Sequence, residues 1–152
     1  MSALPEVERI TLSKEIVAVC REFFGPYEQA PAYVTDVEKY LEAQKIPSLP
    51  FNAFGVYFDD PSQKRPEELR SYQGVLVEKE VEVKPPYFVY KMKQKEYLHT
   101  TASPQEALPA GYLALFNYMG LHHIRAGSTG GHQHVTMKDG QVVFDIYLEI
   151  DE

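Results

Sequence analysis

The chain has 152 residues, which suits one domain that buries roughly 70% of its unfolded surface and folds without staples. Its net charge of −7 speaks against a nucleic-acid footprint, which needs clustered Lys and Arg, and its hydrophobic content of 44% is ordinary for a globular protein. The single cysteine, Cys20, excludes an internal disulfide and a Cys-based zinc cluster. No apolar run approaches the ~18 residues of a membrane span, and the N-terminus has no signal-like apolar segment, so a cytoplasmic location is the expectation.

In chain order, Glu6 to Leu12 and Glu15 to Phe24 read as extended segments, as one strand bent near Ser13 or as two. Cys20, inside Ile16-Val-Ala-Val-Cys20, reads as a buried inert thiol. From Ala32 to Gln44 the apolar residues Tyr33, Val34, Val37, Tyr40 and Leu41 step by three and four, a one-sided helix with Pro31 in its first turn. Phe54 to Phe58 and Tyr72 to Val77 read as strands joined by a polar loop. Asp59-Asp60-Pro61 is turn chemistry, since neighbouring carboxylates on a strand point to opposite faces. Gly55 inside the first of these strands marks a place where something must approach the backbone. The charged stretch Glu78 to Pro86 either extends the strand or links two halves of the chain, about 1–84 and 85–152.

The second half repeats the order. Tyr87 to Met92 alternates as a strand, and Lys95 to Thr101 continues it or forms a second one. A helix follows, announced by Ser103-Pro-Gln-Glu106, with a start nearer Ala110 and a stop at Gly120. Its stripe is Leu108, Tyr112, Leu115, Phe116 and Met119. A Gly-rich connection (Gly127, Gly130, Gly131) leads to a strand from His132 to Met137. Lys138-Asp-Gly140 is a tight hairpin, and Val142 to Ile150 is a clearly alternating last strand. The fold class expected is therefore α+β. Two strand-helix-strand-strand units form a mainly antiparallel sheet, with helices on one face and a groove between the halves. Superposing the units places Gly55-Val-Tyr-Phe-Asp-Asp60 on His134-Val-Thr-Met-Lys-Asp139, with Val56 on Val135.

Gly55-Val-Tyr-Phe-Asp-Asp-Pro61, followed by Pro66-x-Glu68 and Arg70-x-Tyr72-x-Gly74-Val75, resembles the GyrI-like (gyrase-inhibitor-like) small-molecule-binding domains. Such domains are also the effector-binding halves of AraC-type and MerR-type multidrug regulators. Phe24-Gly-Pro-Tyr27 resembles the way the family begins its first helix. The resemblance covers the whole chain and is specific over residues 54–77. It implies a tandem fold with a central aromatic groove that takes bulky, often cationic and amphipathic molecules. The resemblance also implies that some members bind DNA gyrase and some hydrolyse strained electrophiles with a Glu and an aromatic partner. Aligned on Val135, the family's acidic position on the next-to-last strand is His134 here, and its aromatic is Thr136. Because the resembling domain uses the whole chain, no DNA-binding helix-turn-helix is expected before Pro5 or after Ile150, a sensor without its reader.

Tyr57, Tyr72 and Tyr147 are the candidate walls of the groove. Aromatic planes with polar tips suit large planar ligands and, by cation–π attraction, cations. His134 is a polar contact, Gly55 an open stretch of backbone, and Asp145 and Glu149, on the face of Tyr147, candidate counter-charges. His132 and His134 share a strand face and would need a third donor to hold a metal, so no metal and no cofactor is assigned; the pair also suits pocket lining and titration near neutral pH. The expectation is a stand-alone sensor or sequestering protein for a small molecule, without direct nucleic-acid or membrane contact. A hydrolase with His134 as general base is the alternative, with no Ser or Cys elbow to support it. A protein partner such as DNA gyrase is the third.

Overall fold

The computed structural model describes residues 5–48, 52–59, 62–103 and 105–151; Asp60, Pro61 and Pro104 of the motifs above lie outside them. The strands are β1 (Glu8–Thr11), β2 (Ile16–Phe24), β3 (Ala53–Tyr57), β4 (Arg70–Leu76), β5 (Tyr87–Met92), β6 (Glu96–Ala102), β7 (Arg125–Lys138) and β8 (Gln141–Asp151). The helices are α1 (Ala30–Ala43) and α2 (Leu108–His122), each preceded by one 3-10 turn. The eight strands form one antiparallel sheet in the order β1-β6-β8-β7-β3-β4-β2-β5. The protein is thus the expected α+β fold of two strand-helix-strand-strand units, β2-α1-β3-β4 and β6-α2-β7-β8.

The strand order reads the same from either end when β1 is matched with β5, β6 with β2, β8 with β4 and β7 with β3. The two units meet at β3 and β7, which pair from Ala53↔Val135 to Tyr57↔Gly131. The first strand of each half, outside these units, crosses over: β1 pairs with β6, and β5 pairs with β2. Residues 6–24 are accordingly two strands in opposite halves of the sheet, not one bent strand. The stretch 78–86 carries no strand and serves as the link.

Side-chain alternation sorts the sheet into two faces. On one face α1 sets Val37 and Leu41 on Val19 and Val75, and α2 sets Leu115 on Leu98 and Ile146. On the other face Ala18, Cys20, Phe54, Val56, Leu76, Met92 and Tyr97 make a core without a helix. Cys20 is buried there, and burial pushes its thiol pKa far up, as expected of an inert cysteine.

Three local expectations change. α2 begins at Leu108 and runs through Gly120 to His122, because His123 itself takes the left-handed conformation (φ 53°) and closes the cap on the Met119 carbonyl. Phe116 is 56% exposed rather than core. The residues that α2 turns to the sheet are Gly111, Ala114 and Leu115, so the helix lies close and buries a narrow stripe. Lastly, Val56 and Val135 occupy opposite faces, Val56 in the helix-free core and Val135 under α2. The superposition of Gly55 on His134 is out of phase, since any odd offset exchanges the faces of a strand. The residue opposite Gly55 across β3 and β7 is Gln133.

Candidate functional site

Because α1 covers β2 and β4 while α2 covers β6 and β8, the central strands β3 and β7 form a seam between the helices. Alternation places Gly55 and Tyr57 of β3, Ser71 and Gln73 of β4, and Gly131 and Gln133 of β7 on the helix face of this seam. One cross-strand row runs Gln73–Gly55–Gln133, and the next runs Ser71–Tyr57–Gly131. The two glycines are what the ring positions require. A Cβ on Gly55 would lie 2.9 Å from both the Tyr57 ring and Gln73 Oε1, and a Cβ on Gly131 would lie 2.7 Å from the Tyr112 hydroxyl. Tyr57 is therefore laid over Gly55, and Tyr112, from the first turns of α2, is laid over Gly131.

Three tyrosines converge at the seam. Tyr27, in the turn before α1, meets Tyr57 edge to face with centroids 4.8 Å apart. The Tyr27 hydroxyl donates to the Arg70 carbonyl at 3.0 Å and accepts from the Asp59 backbone N–H at 3.0 Å, so this ring is anchored to the strand ends. The Tyr112 hydroxyl accepts from Gln133 Nε2 at 2.6 Å. Burial raises the pKa of Tyr57, partly offset by the neighbouring Gln73 amide. It also raises that of Tyr112; Gln133 opposes the shift, and the nearby Tyr57 and Tyr27 add to it. Both phenols, Tyr57 and Tyr112, are uncharged across the physiological range, and the groups acting on them are amides and other phenols.

The seam floor is polar and incompletely satisfied. Ser71 is 1% exposed and Gln73 is 2% exposed, yet the Ser71 hydroxyl and Gln73 Nε2 meet no partner at hydrogen-bond geometry among the described residues, although the Gln73 amide lies near enough to the Tyr57 hydroxyl to act on its pKa. Buried polar side chains are nearly always hydrogen-bonded, because an unmatched one carries its full desolvation cost. Two unmatched groups side by side, beneath aromatic rings and beside glycine, form a place where a polar ligand atom would be stabilised.

Of the residues singled out from sequence, only Gly55 and Tyr57 lie in the seam. Tyr72, His134, Asp145, Tyr147 and Glu149 come together on the opposite, helix-free face, where each is engaged by the protein. Tyr72 meets Phe58, Phe88 and Tyr90 edge to face and lies 5.3 Å from the Arg70 guanidinium carbon. Glu149 pairs with Lys95, and Asp145 with His99 at 2.9 Å. Tyr147 packs on His99 with centroids 4.8 Å apart, and burial followed by the Asp145 and Glu8 charges pushes its pKa up to about 12. His134 Nε2 lies 2.6 Å from Asn52 Oδ1, and burial lowers its pKa, so it is neutral at pH 7. His132 meets the Tyr90 hydroxyl at 2.7 Å. Among the described residues no three His, Cys, Asp or Glu converge as a metal site would require.

Tyr27, Ser71, Gln73, Tyr112, Gly131 and Gln133 were not named as site residues. The signal for Gln133 was present: it alternates with His132 and His134, so it must face away from them. Its partner Gln73 stands one residue from Tyr72 and is assigned to the helix face by the same rule.

No family model and no curated protein sequence matches the chain. Solved structures share its fold. The C-terminal domain of EcmrR superposes with a TM-score of 0.78 at 9% identity over 99% of both chains. In the EcmrR–DNA complex this chain spans 58% of EcmrR, with a TM-score of 0.78 and 8% identity. A hydrolase from Listeria innocua has a TM-score of 0.63 at 10% identity, covering 96% of this chain and 92% of its own. SAV2435, solved bound to tetraphenylphosphonium, has a TM-score of 0.52 at 9% identity, covering 97% and 93%. At the level of fold, these likenesses agree with the resemblance to GyrI-like domains.

Proposed function

We propose that the protein binds bulky hydrophobic small molecules in the seam between α1 and α2, as a sensor or sequestering module of the cytoplasm. The observation that carries the reading is the pair of buried, unmatched polar groups, Ser71 Oγ and Gln73 Nε2, beneath half-buried tyrosine rings on a glycine floor. A pocket of aromatic walls with a few convergent polar groups is what small-molecule recognition uses. Tyr57 and Tyr112 would swing aside and become the walls, with Tyr27 fixed behind them. The EcmrR domain and tetraphenylphosphonium-bound SAV2435 share the fold, which supports the same reading. The net charge of −7 supports action without a nucleic-acid contact of its own.

Fluorescence titration and calorimetry with rhodamine 6G and triphenylphosphine oxide test it. Binding is expected to weaken by about tenfold in Tyr57→Ala and in Tyr112→Ala, the loss typical of a truncated aromatic anchor. Absence of binding by both compounds would overturn the proposal. So would binding that survives Tyr57→Ala but is lost in Tyr147→Ala, which would move the site to the helix-free face.

A further inference from the structure

We infer that the seam selects uncharged ligands carrying a hydrogen-bond acceptor, and discriminates against permanent cations; the inference rests on the seam being the binding site. Three observations meet here. The buried groups offered by the floor are an amide N–H and a hydroxyl, Gln73 Nε2 and Ser71 Oγ; Gln133, across Gly55, already donates to the Tyr112 hydroxyl. An unmatched N–H is satisfied by an acceptor such as a carbonyl, phosphoryl or ring nitrogen, and an onium centre such as a tetraarylphosphonium offers none. The groups that act on the Tyr57 and Tyr112 hydroxyls are Gln73, Gln133, Tyr57 and Tyr27, none of them a carboxylate. A buried cation without a counter-charge is strongly disfavoured, and aromatic rings alone recover only part of that cost.

The carboxylates near the sheet centre are committed elsewhere. Asp59, at the end of β3, accepts the Arg70 backbone N–H at 2.7 Å and pairs with Lys64 at 2.8 Å. Asp145 and Glu149 lie across the sheet on the helix-free face and are paired with His99 and Lys95. Tyr72, also on that face, already has the protein's own Arg70 beside its ring. Among the described residues, none of these three carboxylates reaches the seam as a buried counter-ion.

Two probes of similar size separate the possibilities: triphenylphosphine oxide, which is neutral with a strong phosphoryl acceptor, and the tetraphenylphosphonium ion. The wild-type protein is expected to bind the oxide more tightly, by about tenfold. Gln73→Leu should weaken the oxide by about three- to tenfold, the worth of one hydrogen bond, and leave the phosphonium unchanged or slightly improved. Gln73→Glu should reverse the order of the two probes by supplying a buried carboxylate. Ser71→Ala, a smaller change, gives the same direction as Gln73→Leu should the latter melt early. Equal binding of both probes, or tighter phosphonium binding, that still depends on Tyr57 would overturn the selectivity and leave the seam as the site. Failure of both probes to bind, or indifference of both to Tyr57→Ala, would overturn the site itself and the inference with it.

Discussion

Gly74 sits opposite Cys20 in the β2–β4 pair, on the helix-free face, where an added Cβ would be driven into the Val19 carbonyl oxygen. Backbone cannot yield as a flexible side chain can, so Gly74→Ala is expected to cost more than about 3 kcal/mol, read as a drop in the urea midpoint with an unchanged slope. Gly55→Ala is milder, because its obstacles are the far ends of the Tyr57 and Gln73 side chains, and it should perturb ligand binding before it perturbs folding. At this scale the sequence was partly readable. Gly55 and Tyr57 stand out as a glycine next to an aromatic inside an apolar run. The amides did not, because Gln73 and Gln133 are ordinary surface residues by composition. Only the antiparallel register that brings both beside Gly55 makes them a pair.

Two elements carry testable consequences. The β7–β8 hairpin turns through Asp139 and Gly140 with φ of 52° and 77°, the double left-handed geometry of a type I′ turn. Lys138-Asp-Gly140 was legible as this hairpin because the turn is local chemistry. Gly140→Ala should cost about 1 kcal/mol, measured by thermal unfolding, since an L side chain resists that conformation. The edge strand β1 is held differently. His99 of β6 directs Nδ1 to Glu8 of β1 at 3.0 Å and Nε2 to Asp145 of β8 at 2.9 Å, so both ring nitrogens face carboxylates and both must donate. Burial lowers the His99 pKa, but the hydrogen bonds to Asp145 and Glu8 outweigh it and the net shift is upward. A raised folded pKa gives stability that is full below the ordinary value of 6.5 and is lost as pH rises through the folded value. His134 acts in the opposite sense, its depressed pKa favouring higher pH. The measurement is therefore a difference: between pH 6 and 8 the wild type should lose stability relative to His99→Gln, by about 1 kcal/mol or less for so small a network. A parallel pair of curves would refute the bridge.

For the molecule as a whole, the repeated order of elements was legible because helix and strand periodicities are local. The exchange of first strands was not, since β1 and β6 lie far apart in sequence and pair through backbone groups that any residue supplies. Each half, cut near Pro85, would hold a strand belonging to the other's sheet. Fragments 1–84 and 85–152 are thus expected to be poorly structured alone and to regain the far-ultraviolet dichroism of the intact protein when mixed. Independent folding of either fragment would contradict this. The exchange also matters while the chain is being made. During N-to-C synthesis β2 can pair with β4 early, but its other edge stays bare until β5 emerges, and β1 waits longer still for β6. Bare strand edges recruit other strands. The nascent first half is therefore the stage at which neighbouring chains on a polysome could pair with one another; β5 and β6 cover two of its bare edges, and the exposure ends only when β7 pairs with β3.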